Sequence, residues 1–531
     1  MLEFLISEED LENVDGSTLQ ELYSHFDYEF EREAYLMERF TREKELAKNR
    51  FTKDDVDADP MSPYEKYTTD MAVGYFAGTA NTYFNKNNKN LRIVTRKGLN
   101  GYVKYDLEKI DKSKQDEDDE FLDYITGIYE YNKEPRENKR LAYRAFITSR
   151  AYEMVYTDEN GKIRFNIIED KCFPFKKNSI SKEMIGFTRM IEYDTLDEYN
   201  NPTTKRTIEL YTKNKRVYFE EDDNFLIEYP LPSNDSFKKG EWEIPISELV
   251  MDYGIGLFEQ QIPNIRSYEL VSKNSKDIEN YNDNAILKIS GVDFSLYNND
   301  ESATSTVSPD DIVTQIKSSG AIFTDNEAGT DADWLIKNVS DSATENHKTN
   351  LKNDIFNTSG LFNPDTDTQV YQNQLSLQFK LYKLETKMSS FQLEFEDLIN
   401  HRNKIICEII NLASNKDYEY SQIGMLFNRN IPTNMSEEIN LANQLKDILP
   451  LQEIYRMLSF VESPEKTYEL YKEEQLDLAE LEAEKEKIYN EITQVDMYGG
   501  TMNEFDEEDN VEDDEFLDDE EIEDTETDDA E

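Results

Sequence analysis

The chain has 531 residues and a formal net charge of −56, from 58 Lys and Arg against 114 Asp and Glu. Nineteen of those acids crowd into 504–531, where no base occurs, and the remaining chain still carries about −37. This balance excludes a protein that holds nucleic acid by neutralising its phosphates, though not one that surrounds DNA without adhering to it.

Taken in order, Leu22, Phe26, Phe30, Ala34, Met37, Phe40 and Leu46 keep helical spacing among dense charges, predicting one amphipathic helix over Leu19 to Arg50. A turn-rich link leads to a second helix over Tyr64 to Phe76. Asp55, Asp57 and Asp59 in that link imitate a calcium loop. Pro60 stands where the sharp turn needs glycine and Lys66 where the last acid ligand belongs, so no calcium is expected. The glycines of Gly74-Tyr-Phe-Ala-Gly78 end the helix and a β-prone run follows. Helices are predicted from the charged block at Asp116–Glu120 to Tyr131 and over Asn138 to Ser149. Ala151–Tyr156 and Lys162–Ile168 flank the turn at Gly161 and read as a hairpin. Strands follow at Gly186–Tyr193, Thr207–Thr212, Arg216–Phe219 and Phe225–Tyr229, making the region to about 240 an α+β domain. Trp242–Ile246 is a short extended link. Ile255–Tyr281 reads as a helix with Pro263 in its first turns, where proline costs least. A small module then holds a strand at Ala285–Ile289, a helix at Pro309–Lys317 and a strand at Ala321–Phe323, and Trp334–Lys337 leads out of it. The fold class is therefore α+β, mainly helical.

The chain is organised around Ser340–Asn411, which reads as a helix, an acidic hinge and a much longer helix. Gly360, Pro364, Asp365 and Asp367 cluster as breakers between the two. Beyond them Leu377, Leu381, Leu384, Met388, Phe391, Phe395, Leu398, Ile405 and Ile409 recur at alternating spacings of four and three, with Arg402 as the one polar intruder. A helix over Gln372–Asn411 would be about 60 Å long at 1.5 Å per residue, so something large is built along it. Shorter helices are expected at Met435–Ile448, Leu451–Phe460 and Glu465–Val495, and 501–531 should be a disordered acidic tail.

Enzymatic patterns are missing: there is no phosphate loop, nucleophile elbow or His-Glu-x-x-His pair. His25, His347 and His401 are scattered in helical contexts and read as surface or packing residues. Acid pairs are so abundant that a glycosidase or nuclease spacing carries no information. Cys172 and Cys407 lack metal-like spacing and suit a reduced compartment, with Cys407 a small buried hydrophobe among isoleucines. The first ten residues do not form a signal peptide, and no apolar run is long enough to span a membrane. No catalytic, cofactor or metal site is expected. Lys348 and Lys352, one turn apart, face either a nucleic-acid channel or Glu345.

The order of these parts resembles the Gp6-like portal family of tailed bacteriophages. The resemblance rests on the helix running into Gly74-Tyr-Phe-Ala-Gly78, and on the helix-then-hairpin Asn138–Tyr156 with Gly161 and Arg164-Phe165. It continues through Trp242-Glu-Ile-Pro245, Ala285–Gly291, Trp334–Lys337, Ser359-Gly360 and Pro364-Asp365. Tyr371–Leu377 departs from the small-residue entry to the long helix that many relatives carry. The resemblance implies a dodecameric homo-oligomeric ring at one capsid vertex, with a wing (1–254), stem helices (255–283 and 336–356), a clip (284–335), a tunnel loop (357–374), a long helix (375–411) and a crown (412–500). Double-stranded DNA would pass through without sequence-specific binding. Asn357, Gly360, Asn363, Pro364, Asp365 and Asp367 would line the channel, with Lys348 and Lys352 as stem candidates. The implied partners are the terminase that packages DNA, the major capsid and scaffolding proteins, and the head-tail connector, with no membrane. The protein would sit in the virion, after assembly in the host cytoplasm. The alternatives are a non-portal helical scaffold or adaptor whose acidic tail binds a basic partner, and a metal-dependent nuclease. Ring formation separates the first, and cleavage with added magnesium the second.

Overall fold

In the computed structural model the described residues are 2–51, 61–88, 90–97, 103–110, 119–196, 200–214, 216–222, 225–229, 243–283, 286–290, 331–335, 341–361, 363, 374–430, 435–458, 460–461 and 463–498. The possible calcium loop, the 309–317 helix, the 321–323 strand, Pro364, Asp365, Asp367 and the acidic tail lie outside them.

The chain opens with strand β1 (Phe4–Leu5) and helices α1 (Glu8–Glu12), α2 (Gly16–His25), α3 (Asp27–Thr41) and α4 (Glu43–Phe51). The single helix expected over Leu19–Arg50 is thus three. It breaks at Phe26 and at Arg42, whose φ of 53° is left-handed. Neither break carries a glycine or proline, and Arg42 is held in place by distant carboxylates described below. Ser7 and Asp15 cap α1 and α2 by accepting bonds from Asp10 and Thr18 amides. Helix α5 (Tyr64–Ala77) leads into β2 (Thr82–Asn85), and the hairpin β3 (Leu91–Lys97) and β4 (Val103–Lys109) follows, which alternation did not disclose.

Helices α6 (Glu120–Asn132) and α7 (Glu134–Thr148) meet at Lys133, and Pro135 sits in the first turn of α7. The expected hairpin is β5 (Arg150–Thr157) with β6 (Ile163–Ile168), in register Tyr152 to Ile168. Next come β7 (Lys171–Lys176), β8 (Met184–Leu196), β9 (Pro202–Thr212), β10 (Arg216–Asp222), β11 (Phe225–Tyr229) and β12 (Ile246–Val250). Strands β1 and β7 to β11 form one sheet in the order β1-β7-β8-β9-β10-β11, antiparallel except for the parallel edge pair β1–β7. Strand β12 joins β5 and β6 in a second sheet. The sequence reading missed β7 and β12: one contains Pro174, and the other starts at Ile246, the last residue of the stretch read as a link, just after Pro245.

Helix α8 (Ile262–Asp283) starts seven residues later than expected, because 3-10 turns at Asp252–Gly254 and Glu259–Gln261 occupy its approach. Gly256 there lies so close to α7 that an added Cβ would stand 2.5 Å from the Ile147 carbonyl. Strands β13 (Ile286–Ser290) and β14 (Asp331–Leu335) pair antiparallel, followed by α9 (Asp341–Ser359) and α10 (Gln374–Ser414). The remainder is β15 (Ile423–Leu426), which pairs with β2, and helices α11 (Met435–Leu445), α12 (Leu451–Met457) and α13 (Pro464–Tyr498).

The spaced apolar residues of α10 are the centre of the core. Leu381, Leu384, Met388, Phe391, Phe395 and Leu398 are buried against Phe76 of α5, Phe146 of α7 and Phe427. Towards its C-terminus Ile405, Ile406 and Ile410 join a second cluster with Phe121, Ile125, Val155 and Phe165. Ile409 is only partly buried while Ile406 and Ile410 are covered. A straight helix turns about 20° per heptad against a 3.5-residue repeat, so the buried face shifts by one position along its length. A third cluster packs α1, α2 and α3 on the six-stranded sheet through Leu19, Tyr23, Phe26, Phe173 and Phe175.

Candidate functional site

The segment expected to carry function holds helix α8, the β13–β14 strand pair and helix α9, followed by the long rod. Helices α8 and α9 pack on each other, with the β13–β14 pair at their far end. Helix α9 runs to Ser359, so Asn357 is helical and exposed rather than in a loop. Gly360 follows with φ of +84°, a conformation that favours glycine, and ends the helix. The turn lies on α10: a Cβ at Gly360 would stand 3.8 Å from the Lys383 carbonyl. Leu361 is buried in the main core, and Asn363 is buried too, its Nδ2 donating to Asn353 Oδ1 at 3.3 Å. The entry to the hinge is therefore tied back onto both helices. Lys387 on α10 donates to the Ser359 carbonyl at 3.4 Å, and burial lowers its pKa from the ordinary lysine value. Lys348 bonds Glu345 at 3.0 Å, the pairing weighed against a channel role, and Lys352 is half-buried one turn on.

Two buried ionic nodes position these elements. In the first, Arg42 Nη2 donates to both Glu65 oxygens at 3.0 and 2.9 Å and to Glu269 Oε1 at 2.6 Å, while Arg39 also bonds Glu65. Glu65 has no exposed surface. It joins α3, α5 and α8, which fixes the root of the helix pair to the N-terminal region.

The second node lies at the position of the polar intruder in the α10 repeat. Arg402 is 0% exposed and donates from Nε and Nη2 to Glu153 of β5 at 2.6 and 2.8 Å, and from Nη2 to Asn138 of α7 at 2.9 Å. Its guanidinium lies 4.4 Å from the Phe165 ring centre and 5.7 Å from that of Tyr129. Next to it, Asn403 accepts a bond from Tyr129 at 2.5 Å, and Glu134 accepts from Tyr83 at 2.6 Å and from Asn138. Burial pushes the Glu153 and Glu134 carboxyls above the usual range, with Arg402 pulling both back, and the Glu153 and Tyr129 partners hold Arg402 firmly charged. The arrangement is a bolt through β2, α6, α7, β5 and α10. Its signal in the sequence was Arg402 itself, a charge where the spacing demands an apolar residue.

A Ser-His-Glu grouping also occurs. Ser247 Oγ lies 2.9 Å from His401 Nδ1, and His401 Nε2 is 3.9 Å from Glu243. Ser247 is 1% exposed, so no substrate carbonyl can reach it, and the group locks β12 to α10. His401 and Lys404 hold the Glu243 carboxyl down at about 2. His347 is exposed, and Cys172 and Cys407 are free and buried, the latter held at Tyr418 O and Asn411. Among the described residues no three His, Cys, Asp or Glu side chains converge as metal ligands, and no helix is long and apolar enough to cross a membrane.

The family described as phage portal protein, SPP1 Gp6-like, matches residues 53–488, from the approach to α5 to within α13. The chain belongs to this portal family. A search among curated proteins found no match. The family is structural rather than enzymatic, and its α+β, mainly helical class is the one observed here. Phage portal membership also agrees with the buried serine of the Ser-His-Glu group, a packing contact in a structural protein.

Proposed function

We propose that this portal-family chain assembles as a ring at one capsid vertex and is the conduit through which DNA is packaged and later leaves. The observation that carries this reading is the family match across 53–488, which spans α8, the β13–β14 pair, α9, the hinge and the long rod. In this reading α8 and α9 are the stem, the β13–β14 module is the clip that meets the terminase or the head-tail connector, and the residues between Gly360 and Gln374 are the tunnel loop. Helices α11 to α13 are the crown. A ring built from unlike faces closes only when the rotation between neighbours divides a full turn, and this reading takes the number of subunits as twelve.

The electrostatics suit a conduit. Each Lys- or Arg-phosphate contact adds affinity and therefore friction, whereas a net acidic wall keeps the duplex away from the surface. Lys348 is already paired with Glu345, which weakens its pull on phosphate. Motion of DNA would be driven by a packaging ATPase, with capsid and scaffolding proteins as the other partners, in the virion and during assembly in the host cytoplasm. Negative-stain images and mass measurement of the purified protein test this: closed rings with a hole wide enough for duplex DNA are expected. Monomers or dimers under all conditions would reject it. Shortening 364–368, beyond the buried Leu361 and Asn363, should then block packaging and leave rings intact.

A further inference from the structure

In a chain with a net charge of −56, the first half of α7 reverses the sign locally. Between 133 and 140 the exposed charged side chains are Lys133, Arg136, Lys139 and Arg140, whereas Glu134 and Glu137 are buried. At about 100° per residue the four bases share one face of the helix. Arg136 and Arg140 both bond Glu137, and Arg140 also bonds Glu169 at 3.0 Å. Among the described residues no carboxylate pairs with Lys133 or Lys139. Two more bases stand at the same end of the helix: Lys162 and Arg164 lie 4.2 and 4.0 Å from the ring centre of Tyr131, two residues before Lys133. Arg164 pairs with Asp158 at 3.5 Å, so the six bases meet three carboxylates. A helix start already presents the positive ends of its N–H groups, so the helix itself disfavours Lys133 and Arg136 there. An anion lying over this face removes that penalty and balances the charge.

The chain carries such an anion at its own C-terminus. Helix α13 ends at Tyr498 and 33 residues follow, with 19 acids and no base in 504–531. Fully extended, that length of chain reaches about 110 Å. This exceeds the length of α10, the longest helix, at about 60 Å. A tethered segment meets its target at an effective concentration of about millimolar, which a free duplex would have to exceed to displace it. The surrounding acidic surface also repels DNA before it arrives. We propose that the exposed basic face of α7, with Lys162 and Arg164 beside it, is the docking surface for the acidic C-terminal segment 504–531. Phosphates would otherwise find a cationic foothold here, so the docked segment also keeps DNA from adhering. The docking itself does not depend on the conduit reading and holds whether or not rings form.

The test uses the full-length chain and a zero-length carbodiimide, which joins lysine amines to carboxylates, with the links mapped by mass spectrometry. Lys133 and Lys139 should link to 504–531 at least fivefold more than Lys44, whose side chain is 85% exposed, and the excess should vanish in about 1 M salt. The double substitution Arg136→Gln, Arg140→Gln keeps both lysines as reporters. It should lower their links to 504–531 at least threefold and leave those of Lys44 unchanged. Changing the acids of 504–531 to Asn and Gln should raise the affinity of the chain for a labelled duplex DNA at least tenfold, and adding Lys133→Gln and Lys139→Gln should cancel the gain. Links from Lys133 and Lys139 no more frequent than those from Lys44 would overturn the proposal. So would links undiminished in the Arg variant, because the segment would then lie elsewhere. Duplex binding by the unaltered chain that is lost on Lys133→Gln and Lys139→Gln would make DNA the occupant and overturn it as well.

Discussion

Replacing Arg402 with Met tests whether the buried bolt is a fastening or merely a tolerated charge. The substitution keeps an unbranched chain of similar reach, but it removes three charge-assisted hydrogen bonds and strands Glu153, itself 0% exposed. A stranded carboxylate relieves itself by taking up a proton. Neutralising an ordinary carboxyl at pH 7 costs about 1.36 kcal/mol per unit over roughly 2.5 units, or about 3.4 kcal/mol. That sets the loss expected at pH 7, within the roughly 3–5 kcal/mol typical of a broken buried pair. The sign with pH follows. In the variant Glu153 has a folded pKa far above its unfolded value, so the variant suffers least near pH 4.5 and progressively more as pH rises. There the deficit should fall to about 1 kcal/mol, the remainder being lost packing and hydrogen bonds. The double variant Arg402→Met, Glu153→Leu should recover most of the loss at pH 7, because no charge is left buried. Urea midpoints at fixed protomer concentration, measured at pH 7 and near pH 4.5, provide the assay, since assembly would otherwise shift apparent stability. A loss at pH 7 below about 1 kcal/mol, or a double variant no more stable than the single, would refute the reasoning.

Three further outcomes follow from the same packing. Glu65→Gln should destabilise by about 2–3 kcal/mol, because two guanidinium groups lose a buried carboxylate; urea midpoints at low and high salt should show nearly the same loss, burial sparing the contact from screening. Gly256→Ala should cost about 1–3 kcal/mol and speed amide exchange at Leu257, whose N–H bonds the Phe146 carbonyl at 2.7 Å, since the new methyl meets backbone rather than a movable side chain. Glu243, depressed from its ordinary 4.5 to about 2, stabilises the fold above pH 4.5, and that contribution fades as pH falls toward 2. Glu243→Gln should therefore lower stability at pH 7 by about 1 kcal/mol after screening and leave it nearly unchanged at pH 2, as thermal melts across that range would register.

Periodicity made the rod legible: α10 and its buried face from Leu381 to Leu398 follow directly from the four-three spacing. The β5–β6 hairpin was equally plain, because its turn residues and alternation agree. What stayed hidden depends on partners far away in the chain. Arg42 adopts a left-handed conformation for the sake of Glu65 and Glu269, and nothing local announces a break between α3 and α4. Arg402 was visible as an anomaly, but Glu153 lies 249 residues earlier in a strand where alternation alone gives no reason to expect a buried acid. The β2–β15 pair has the same character, being joined across more than three hundred residues. Of the hinge, Gly360 was recognisable as a breaker, whereas the inward turn of Asn363 toward Asn353 was not.

The slow rotation of the buried face along α10 has a mechanical meaning. Because the face turns about 20° per heptad, the first half of the rod is clamped by α5 and α7 and the last turns by α6 and the β5–β6 hairpin, with Arg402 at the handover. A rod gripped at two stations cannot pivot about either one alone. Load applied across the hinge end would therefore be shared by the two stations, and the guanidinium bonded to both α7 and β5 stands where they meet.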